Sequence, residues 1–245
     1  MEKLHPRAVI FDLGSTLIEY EKVPWDELGE LCMENGRLAL LDRGYDVPAR
    51  KEFVALHDEF RKVCRKRAVE SLEEWSVPQL ISDVFESLGL DSSHELVDLF
   101  FEAYYDVVRK QLFVYDDTLS TLELLKPHYP VMGLVSNTIF PEWTHKEELE
   151  RFGIEPFLDF TIFSSTFKLR KPHPAIFQQA ANLAGFAPSE CVYIGDRYLE
   201  DVEGPSGVGM PAILKVKPGR EYPEDMPEDI RRIDKLSELT NHLVV

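Results

Sequence analysis

The sequence predicts an α/β fold, a doubly wound parallel sheet with an inserted, all-helical domain. Beyond residue 113, uninterrupted apolar runs alternate with amphipathic helical patterns, as expected for βαβ units. Residues 25–110 instead follow helical periodicity, with no strand pattern among them. An isolated apolar run near the start of the chain supplies a first strand ahead of this helical block. These three observations together define the architecture.

The change of pattern sets the domain boundaries. We predict a core domain over residues 1–18 and 112–245, and a helical cap domain over residues 19–111. In the cap, helices are predicted over about 28–41, 49–71 and 77–88, and from a cap at Asp91 or Ser92 to about Lys110. In the core, strands are predicted over 8–13, 131–135, 160–163, 192–194 and 211–214, helices over 118–125, 142–152 and 174–184, and then a proline-rich loop over 217–227 and a short terminal helix.

The first strand ends in the residue around which the site is predicted. Four apolar residues, Ala8–Phe11, lead into Asp12, and a Gly14-Ser15 turn follows. A run without alternation is typical of a strand buried on both faces, and ligands bind at the carboxyl ends of such strands. Asp12 is therefore suited to act as a nucleophile or a metal ligand. The alternative is an aspartate that merely closes the strand and starts the turn.

Composition limits the partners. The net charge of −17 argues against nucleic acid and anionic membranes, and an anionic substrate would need a local cation or lysine. The three cysteines show no metal-ligand spacing, and no long apolar segment occurs, so a soluble, cytoplasmic protein in a reducing compartment is expected. The oligomeric state stays open, with a homodimer among the alternatives.

Further polar residues follow the later apolar runs. Ser136 and Asp196 each come at the end of a predicted strand, so they should meet Asp12 at one edge of a parallel sheet. Lys171 stands just ahead of a helix, and Asp201 lies five residues beyond Asp196. Taken singly, these residues also fit a turn serine, a surface lysine and helix-capping aspartates. Taken together, they form an ordered set of carboxylate, hydroxyl, lysine and acidic pair.

This ordered set resembles the haloacid dehalogenase (HAD) superfamily, most of whose members are phosphatases. Asp12 matches the family's nucleophile, Ser136 its second-motif hydroxyl, and Lys171, within Lys-Pro-His-Pro, its third-motif lysine. Asp196 and Asp201 match its final acidic motif, and the helical block lies where the family's type-one cap lies. The resemblance covers nearly the whole chain, and its specificity comes from the order of the motifs.

The resemblance implies a phosphatase that acts on a small phosphorylated metabolite through an aspartyl-phosphate. Mg²⁺ would take oxygens from Asp12, Asp196 and the carbonyl of Gly14, and would offset the repulsion between two anions. Lys171 would bind the phosphoryl oxygens with its positive charge and keep the nucleophile ionised. The remaining predicted site residues are Ser136 and Asn137, which would bind the phosphoryl group, and Asp201, which would orient Lys171 or the metal's waters.

Gly14 departs from the family's pattern. Most HAD phosphatases carry there a second aspartate, the general acid and base, whose contribution is typically ~10²–10⁴-fold. One interpretation is a phosphatase with another acid, Glu19 or Glu21, or with a leaving group that needs little protonation. A second is carbon–phosphorus or carbon–halogen chemistry, the former requiring a cap lysine from among Lys22, Lys51, Lys62 and Lys66. A third is a non-catalytic binding descendant, which the retained Asp12, Lys171 and Asp196 oppose.

Overall fold

A computed structural model describes residues 2–245, which divide into two compact units. The first unit contains the described residues up to Glu19, together with Val114–Thr138 and Glu142–Val245. The second contains Tyr20–Phe113 and Ile139–Pro141. No helix among residues 2–245 has the length and apolar character needed to cross a membrane.

The first unit is built on a six-stranded parallel sheet in the order β5-β4-β1-β6-β7-β8. Its strands are β1 (Ala8–Phe11), β4 (Val131–Ser136), β5 (Phe160–Phe163), β6 (Cys191–Gly195), β7 (Ala212–Lys215) and β8 (Arg231–Ile233). Its helices are α5 (Thr118–Leu125), α6 (Glu142–Arg151), α7 (Ser164–Phe167), α8 (Pro174–Ala184) and α9 (Gly204–Ser206), with 3-10 turns at Glu155–Phe157, Pro188–Glu190 and Leu236–Asn241 and a π-helical turn at Tyr198–Glu203. This is the predicted α/β architecture.

The burial of β1 explains its apolar sequence. All four residues of β1 are fully buried, because β4 and β6 flank the strand on both edges and helices cover the sheet. Ile10 and Tyr193 are paired in register on β1 and β6, and both belong to a core cluster with Ile176 and Phe177 of α8. The Phe177 and Tyr193 rings meet edge to face, with centroids 5.4 Å apart. The centre of the sheet, which ends at Asp12, is therefore closely packed.

The second unit consists of four helices packed around an aromatic core. The helices are α1 (Trp25–Asp42), α2 (Arg50–Ser71), α3 (Val77–Ser87) and α4 (His94–Gln111). Phe100 of α4 lies at the centre of this core, with ring centroids 5.8 Å from Phe53 and 5.4 Å from Phe85. Tyr104 and Tyr105, on the same helix, are also buried. These four helices thus form a unit with its own hydrophobic core.

Gly36 of α1 sets how closely Phe100 packs. A Cβ atom at position 36 would lie 2.5 Å from Cζ of Phe100, and both residues are buried. We therefore expect Gly36→Ala to lower the free energy of unfolding by about 1–3 kcal/mol through overpacking. Urea denaturation measures this change.

Gly29→Ala, on the same helix, is the matched control. A Cβ there would meet its nearest neighbour, Nη1 of Arg61, at an ordinary 3.9 Å. We expect this change to be neutral or to stabilise by up to ~1 kcal/mol, since alanine is the better helix former. Equal effects of the two substitutions would contradict the close-packing explanation.

Several predicted boundaries were wrong for local reasons. β1 ends at Phe11, so Asp12 follows the strand and lies outside it. The short strands β2 (Ile18–Glu19) and β3 (Phe113–Val114), which form a separate two-stranded sheet, and the edge strand β8 were not predicted. Helix α4 begins at His94, because Asp91 Oδ1 accepts the N–H of Ser93 in the preceding turn and does not cap the helix.

Candidate active site

The site lies where the order of the sheet reverses. Asp12 directly follows β1, Asp196 directly follows β6, and Ser136 is the last residue of β4, the strand on the other side of β1. All three are buried. Ligands bind at this switch point in doubly wound sheets, because the connections that leave the neighbouring strands β1 and β6 run to opposite sides and leave a crevice. The structure thus brings the three strand-end residues to one sheet edge, as predicted.

Lys171 is the centre of the site's hydrogen bonding. Its ammonium donates to Oδ1 of Asp12 at 2.7 Å and to Oδ1 of Asp201 at 2.6 Å. A third bond, of 2.8 Å, goes to the hydroxyl of Tyr193, which in turn donates to the carbonyl of Val135 at 2.7 Å. All three donor positions of the ammonium are therefore used, and a lysine that is 2% exposed is neutralised by two carboxylates.

Asn137 fixes the backbone of this lysine. Its Nδ2 donates to the carbonyl of Lys171 at 2.9 Å, and its Oδ1 accepts the N–H of Lys171 at 2.7 Å. Ser136 is less engaged, since its hydroxyl reaches the carbonyl of Asn137 at 3.5 Å, a long distance for a hydrogen bond. Both polar ends of the Asn137 side chain thus position Lys171.

Burial and the neighbouring charges shift the pKa values of Asp12 and Lys171 in opposite directions. Burial raises the pKa of Asp12 to about 6, although the ammonium of Lys171 lowers it. Burial also lowers the pKa of Lys171, but the carboxylates of Asp12 and Asp201 outweigh this and raise its pKa well above its usual value. Lys171 is therefore charged at neutral pH, and Asp12 is mostly ionised.

Three carboxylates form a compact acidic group. One oxygen each from Asp12, Asp196 and Asp201 lies within 4.8 Å of the others. Both oxygens of Asp201 already have donors, Lys171 and the N–H of Arg197 at 2.8 Å. Oδ1 of Asp196 is buried and has no hydrogen-bond donor among residues 2–245. Hard carboxylate oxygens of this kind fit Mg²⁺, with Asp12 and Asp196 the residues that could hold it.

Gly195 allows this acidic group to be compact. A Cβ atom at position 195 would lie 2.4 Å from Cγ of Asp201, closer than any side chain could tolerate. The residue before Asp196 therefore has to be glycine if Asp201 is to reach Lys171.

The turn after Asp12 contains Gly14 and Ser15. The N–H of Ser15 donates to the carbonyl of Ile18 at 2.7 Å, and Ser15 has a positive φ of 60°. The carboxylate of Glu19, one of the two acids suggested as a substitute for the missing aspartate, accepts from the Tyr115 hydroxyl at 2.6 Å and from Lys217 at 3.0 Å. Glu19 is thus held as an acceptor within a network.

Four site residues were missed from the sequence. Tyr193 looked like an apolar strand residue, and its signal was a hydroxyl in an otherwise apolar strand. Arg220, Tyr222 and Lys217 lie in the region predicted as a proline-rich loop. Arg220 forms an ion pair with Oδ2 of Asp196, and the Tyr222 hydroxyl donates to the carbonyl of Asp196 at 3.0 Å. Basic residues directly after an apolar strand were the available signal for this segment.

Comparison with known proteins supplies an independent finding. A sequence model of the haloacid dehalogenase-like hydrolases matches residues 6–209. A protein of Methanocaldococcus jannaschii named glyceraldehyde 3-phosphate phosphatase is 32% identical over 96% of this chain and 96% of its own length. One of Xylella fastidiosa named phosphoglycolate phosphatase is 26% identical over 91% of this chain and 85% of its own length.

Solved structures agree in fold. A 2-haloacid dehalogenase from Pseudomonas syringae superposes with a TM-score of 0.74 at 23% identity, covering 96% of this chain and 97% of its own. A HAD phosphatase from Thermococcus onnurineus gives a TM-score of 0.65 at 24% identity, covering 98% of this chain and all of its own. At these identities the likeness concerns the fold alone.

Proposed function

Because this chain belongs to the haloacid dehalogenase-like hydrolases, we propose that it is a phosphatase of a small phosphorylated metabolite. The observation that carries the proposal is the buried Asp12–Lys171–Asp201 group at the reversal point of the sheet. Relatives named as phosphatases support the same reaction class. Glyceraldehyde 3-phosphate and phosphoglycolate are therefore the first substrates to test.

Asp12 acts as the nucleophile in this proposal. Its carboxylate attacks phosphorus, the bond to the leaving oxygen breaks, and an aspartyl-phosphate forms that water then hydrolyses. Covalent catalysis of this kind splits one difficult step into two easier ones. Burial makes the Asp12 carboxylate less strongly solvated than an exposed aspartate, and because its pKa of about 6 is still below neutral pH, the carboxylate is mostly ionised there.

Lys171 provides the positive charge that the reaction needs. With a net charge of −17, the protein repels an anionic substrate unless a local cation is present. The Lys171 ammonium lies 2.7 Å from Oδ1 of Asp12, close enough to interact with a phosphoryl group held by that carboxylate. Asp201 and Asn137 position the lysine through its ammonium and its backbone. Ser136 is left to donate its hydroxyl to a phosphoryl oxygen.

Mg²⁺ is the cofactor that best fits the remaining donors. Asp12 and Asp196 supply carboxylate oxygens, and Gly14 retains a backbone carbonyl as a further donor. When bound, the ion would neutralise charge on the phosphoryl oxygens. The core domain proposed over residues 1–18 and 112–245 would carry this chemistry, and the cap domain over 19–111 would select the substrate.

Product release from a substrate panel tests the proposal, measured as phosphate for the phosphorus compounds and as halide for the haloacid. The panel contains the two named metabolites, an aryl phosphate, an acyl phosphate, a phosphonate and a 2-haloacid, each with Mg²⁺ and with chelator. We expect Mg²⁺-dependent phosphate release from the phosphates. Turnover of the phosphonate or haloacid alone would favour carbon–phosphorus or carbon–halogen chemistry, and no turnover at all would favour a binding role.

Restoring an acid at position 14 tests the effect of Gly14. We expect the parent protein to favour aryl and acyl phosphates, whose leaving groups need little protonation, and Gly14→Asp to raise turnover of alkyl esters ~10²-fold or more. Steady-state kinetics on matched aryl and alkyl esters measure the change. Gly14→Asn introduces a side chain of the same size as aspartate but without an acidic proton. An equal gain in turnover with Gly14→Asn would therefore show that acid–base chemistry is not the cause.

A further inference from the structure

A segment beyond the family motifs contacts two of them. This segment, the β7 loop (Lys215–Tyr222), begins at the last residue of β7 and lies outside the matched residues 6–209. Its side chains reach the turn after Asp12 at one end and Asp196 at the other. None of these contacts is needed to complete the sheet.

At the first end of the loop, two lysines donate hydrogen bonds to Ser15. The ammonium of Lys215 donates to the backbone carbonyl of Ser15 at 2.9 Å, and that of Lys217 donates to the Ser15 hydroxyl at 2.8 Å. Lys215 is buried, and the Lys217 side chain is 14% exposed. Ser15 is itself buried with a positive φ of 60°, a conformation that an L-residue adopts rarely and at a cost. The lysines therefore stabilise a conformation that the local sequence alone disfavours.

Glu19 completes the network as the counter-charge. Its Oε1 lies 3.0 Å from the ammonium of Lys217, and its Oε2 accepts the hydroxyl of Tyr115 at 2.6 Å. The ammonium of Lys215 lies 3.9 Å from the centroid of the Tyr115 ring. The turn over residues 13–18 is thus in contact with an ion-paired cluster formed by Lys215, Lys217, Glu19 and Tyr115.

At the second end, the loop contacts the strand end that carries Asp196. The Tyr222 hydroxyl accepts the N–H of Lys217 at 2.9 Å and donates to the carbonyl of Asp196 at 3.0 Å. Arg220 pairs with the carboxylate of Asp196. Lys217 is therefore joined to the Asp196 strand end through its backbone and to the Ser15 turn through its side chain.

We propose that Lys217 and Glu19 are positioning residues that clamp the turn following Asp12 in its working conformation. This inference rests on the proposed phosphatase function. Gly14 has no side chain to restrict its backbone, so the turn needs an external support. Displacement of the turn would shift Asp12 and the N–H groups that follow it relative to Lys171, and a misplacement of about 1 Å can cost ~10²-fold in rate.

Paired substitutions separate positioning from stability. Lys217→Met removes the ammonium that pairs with the buried carboxylate of Glu19, so we expect a lower Tm together with a ~10- to 100-fold lower kcat. The double variant Lys217→Met with Glu19→Gln removes both charges. We expect it to recover the Tm but not kcat, with KM changed less than kcat. Lys217→Arg keeps the charge and should recover part of kcat.

A second ion pair in the same unit is the matched control. Lys126 lies 2.7 Å from Oδ2 of Asp159, which also accepts the N–H of Met132 near the amino-terminal end of β4, whereas the site lies at the carboxyl ends of the strands. Lys126→Met with Asp159→Asn should leave kcat unchanged. Recovery of both Tm and kcat in the Lys217/Glu19 double variant, or an equal loss of kcat in the control pair, would overturn the proposal.

Amide hydrogen exchange tests whether Lys217 and Glu19 hold the turn, and it does not depend on enzyme activity. We expect faster exchange of the amides of residues 13–18 in the Lys217/Glu19 double variant than in the parent, and unchanged exchange there in the Lys126/Asp159 control. Unchanged exchange in the double variant would overturn the clamp. Absence of phosphate release by the parent would instead contradict the proposed function, so the two failures can be distinguished.

Discussion

Replacing Asp12 with asparagine is expected to abolish phosphate release, with a loss of more than ~10³-fold in kcat. An amide of the same size cannot form the bond to phosphorus. Asp201 still lies 2.6 Å from the Lys171 ammonium, so the site should keep its fold. Phosphate release and the Tm, measured on the same preparation, separate lost chemistry from lost structure.

Glu123→Gln is the control for Asp12→Asn, because it removes a carboxylate from the exposed surface of α5 in the same unit. We expect its kcat to be unchanged. Acid quenching of the parent during turnover should additionally trap phosphate on the protein, and Asp12→Asn should trap none. Retained turnover in Asp12→Asn, with no trapped intermediate in the parent, would contradict the assignment of the nucleophile.

Replacing Lys171 with methionine is expected to lower both activity and stability. The change leaves Asp12 and Asp201 buried without the ammonium that bonds to each of them, and an uncompensated buried charge costs about 3–5 kcal/mol. Lost stabilisation of the phosphoryl group should reduce kcat by ~10²-fold or more. Lys168→Met, an exposed lysine three residues earlier, should change neither quantity.

The same substitution should move the pH dependence in a defined direction. Asp12 must be ionised to attack, and burial raises its pKa to about 6 while Lys171 lowers it. Activity of the parent should therefore fall as the pH drops through about 6, and loss of the ammonium should raise the pKa and move this limb to higher pH. A bound cation beside Asp12 acts like Lys171 and lowers the pKa. A limb that moves to lower pH in Lys171→Met would contradict the ion pair.

The positions of Asp12 and Asp196 could be predicted because each terminates an uninterrupted apolar run. Parallel strands buried on both faces are the simplest explanation for such runs, and their carboxyl ends share one edge. The role of Lys171 came from a resemblance in motif order, since a lysine before a helix carries no signal of its own burial. The bounds of β1 were overestimated because Leu13 continues the apolar pattern past the strand.

What could not be predicted depends on contacts between distant parts of the chain. Tyr193 is a core aromatic by composition, and its role follows from a register that places its hydroxyl beside Val135 and Lys171. Lys215 meets Ser15 across 200 residues of sequence, which no local pattern encodes. Strand β8 was missed because an edge strand with two arginines, Arg231 and Arg232, lacks the apolar run of a central strand.

The central place of β1 has a consequence for how the chain folds during synthesis. Ala8 pairs with Val131 on one side and with Cys191 on the other, so β1, which is made before the other strands of its sheet, is among the last to find both neighbours. The helical unit is almost continuous in sequence and can pack from local contacts long before then. Until β6 has been made, the nascent chain carries an apolar strand, β1, that is unpaired along one edge. Chains released before Cys191 should therefore aggregate or depend on chaperones.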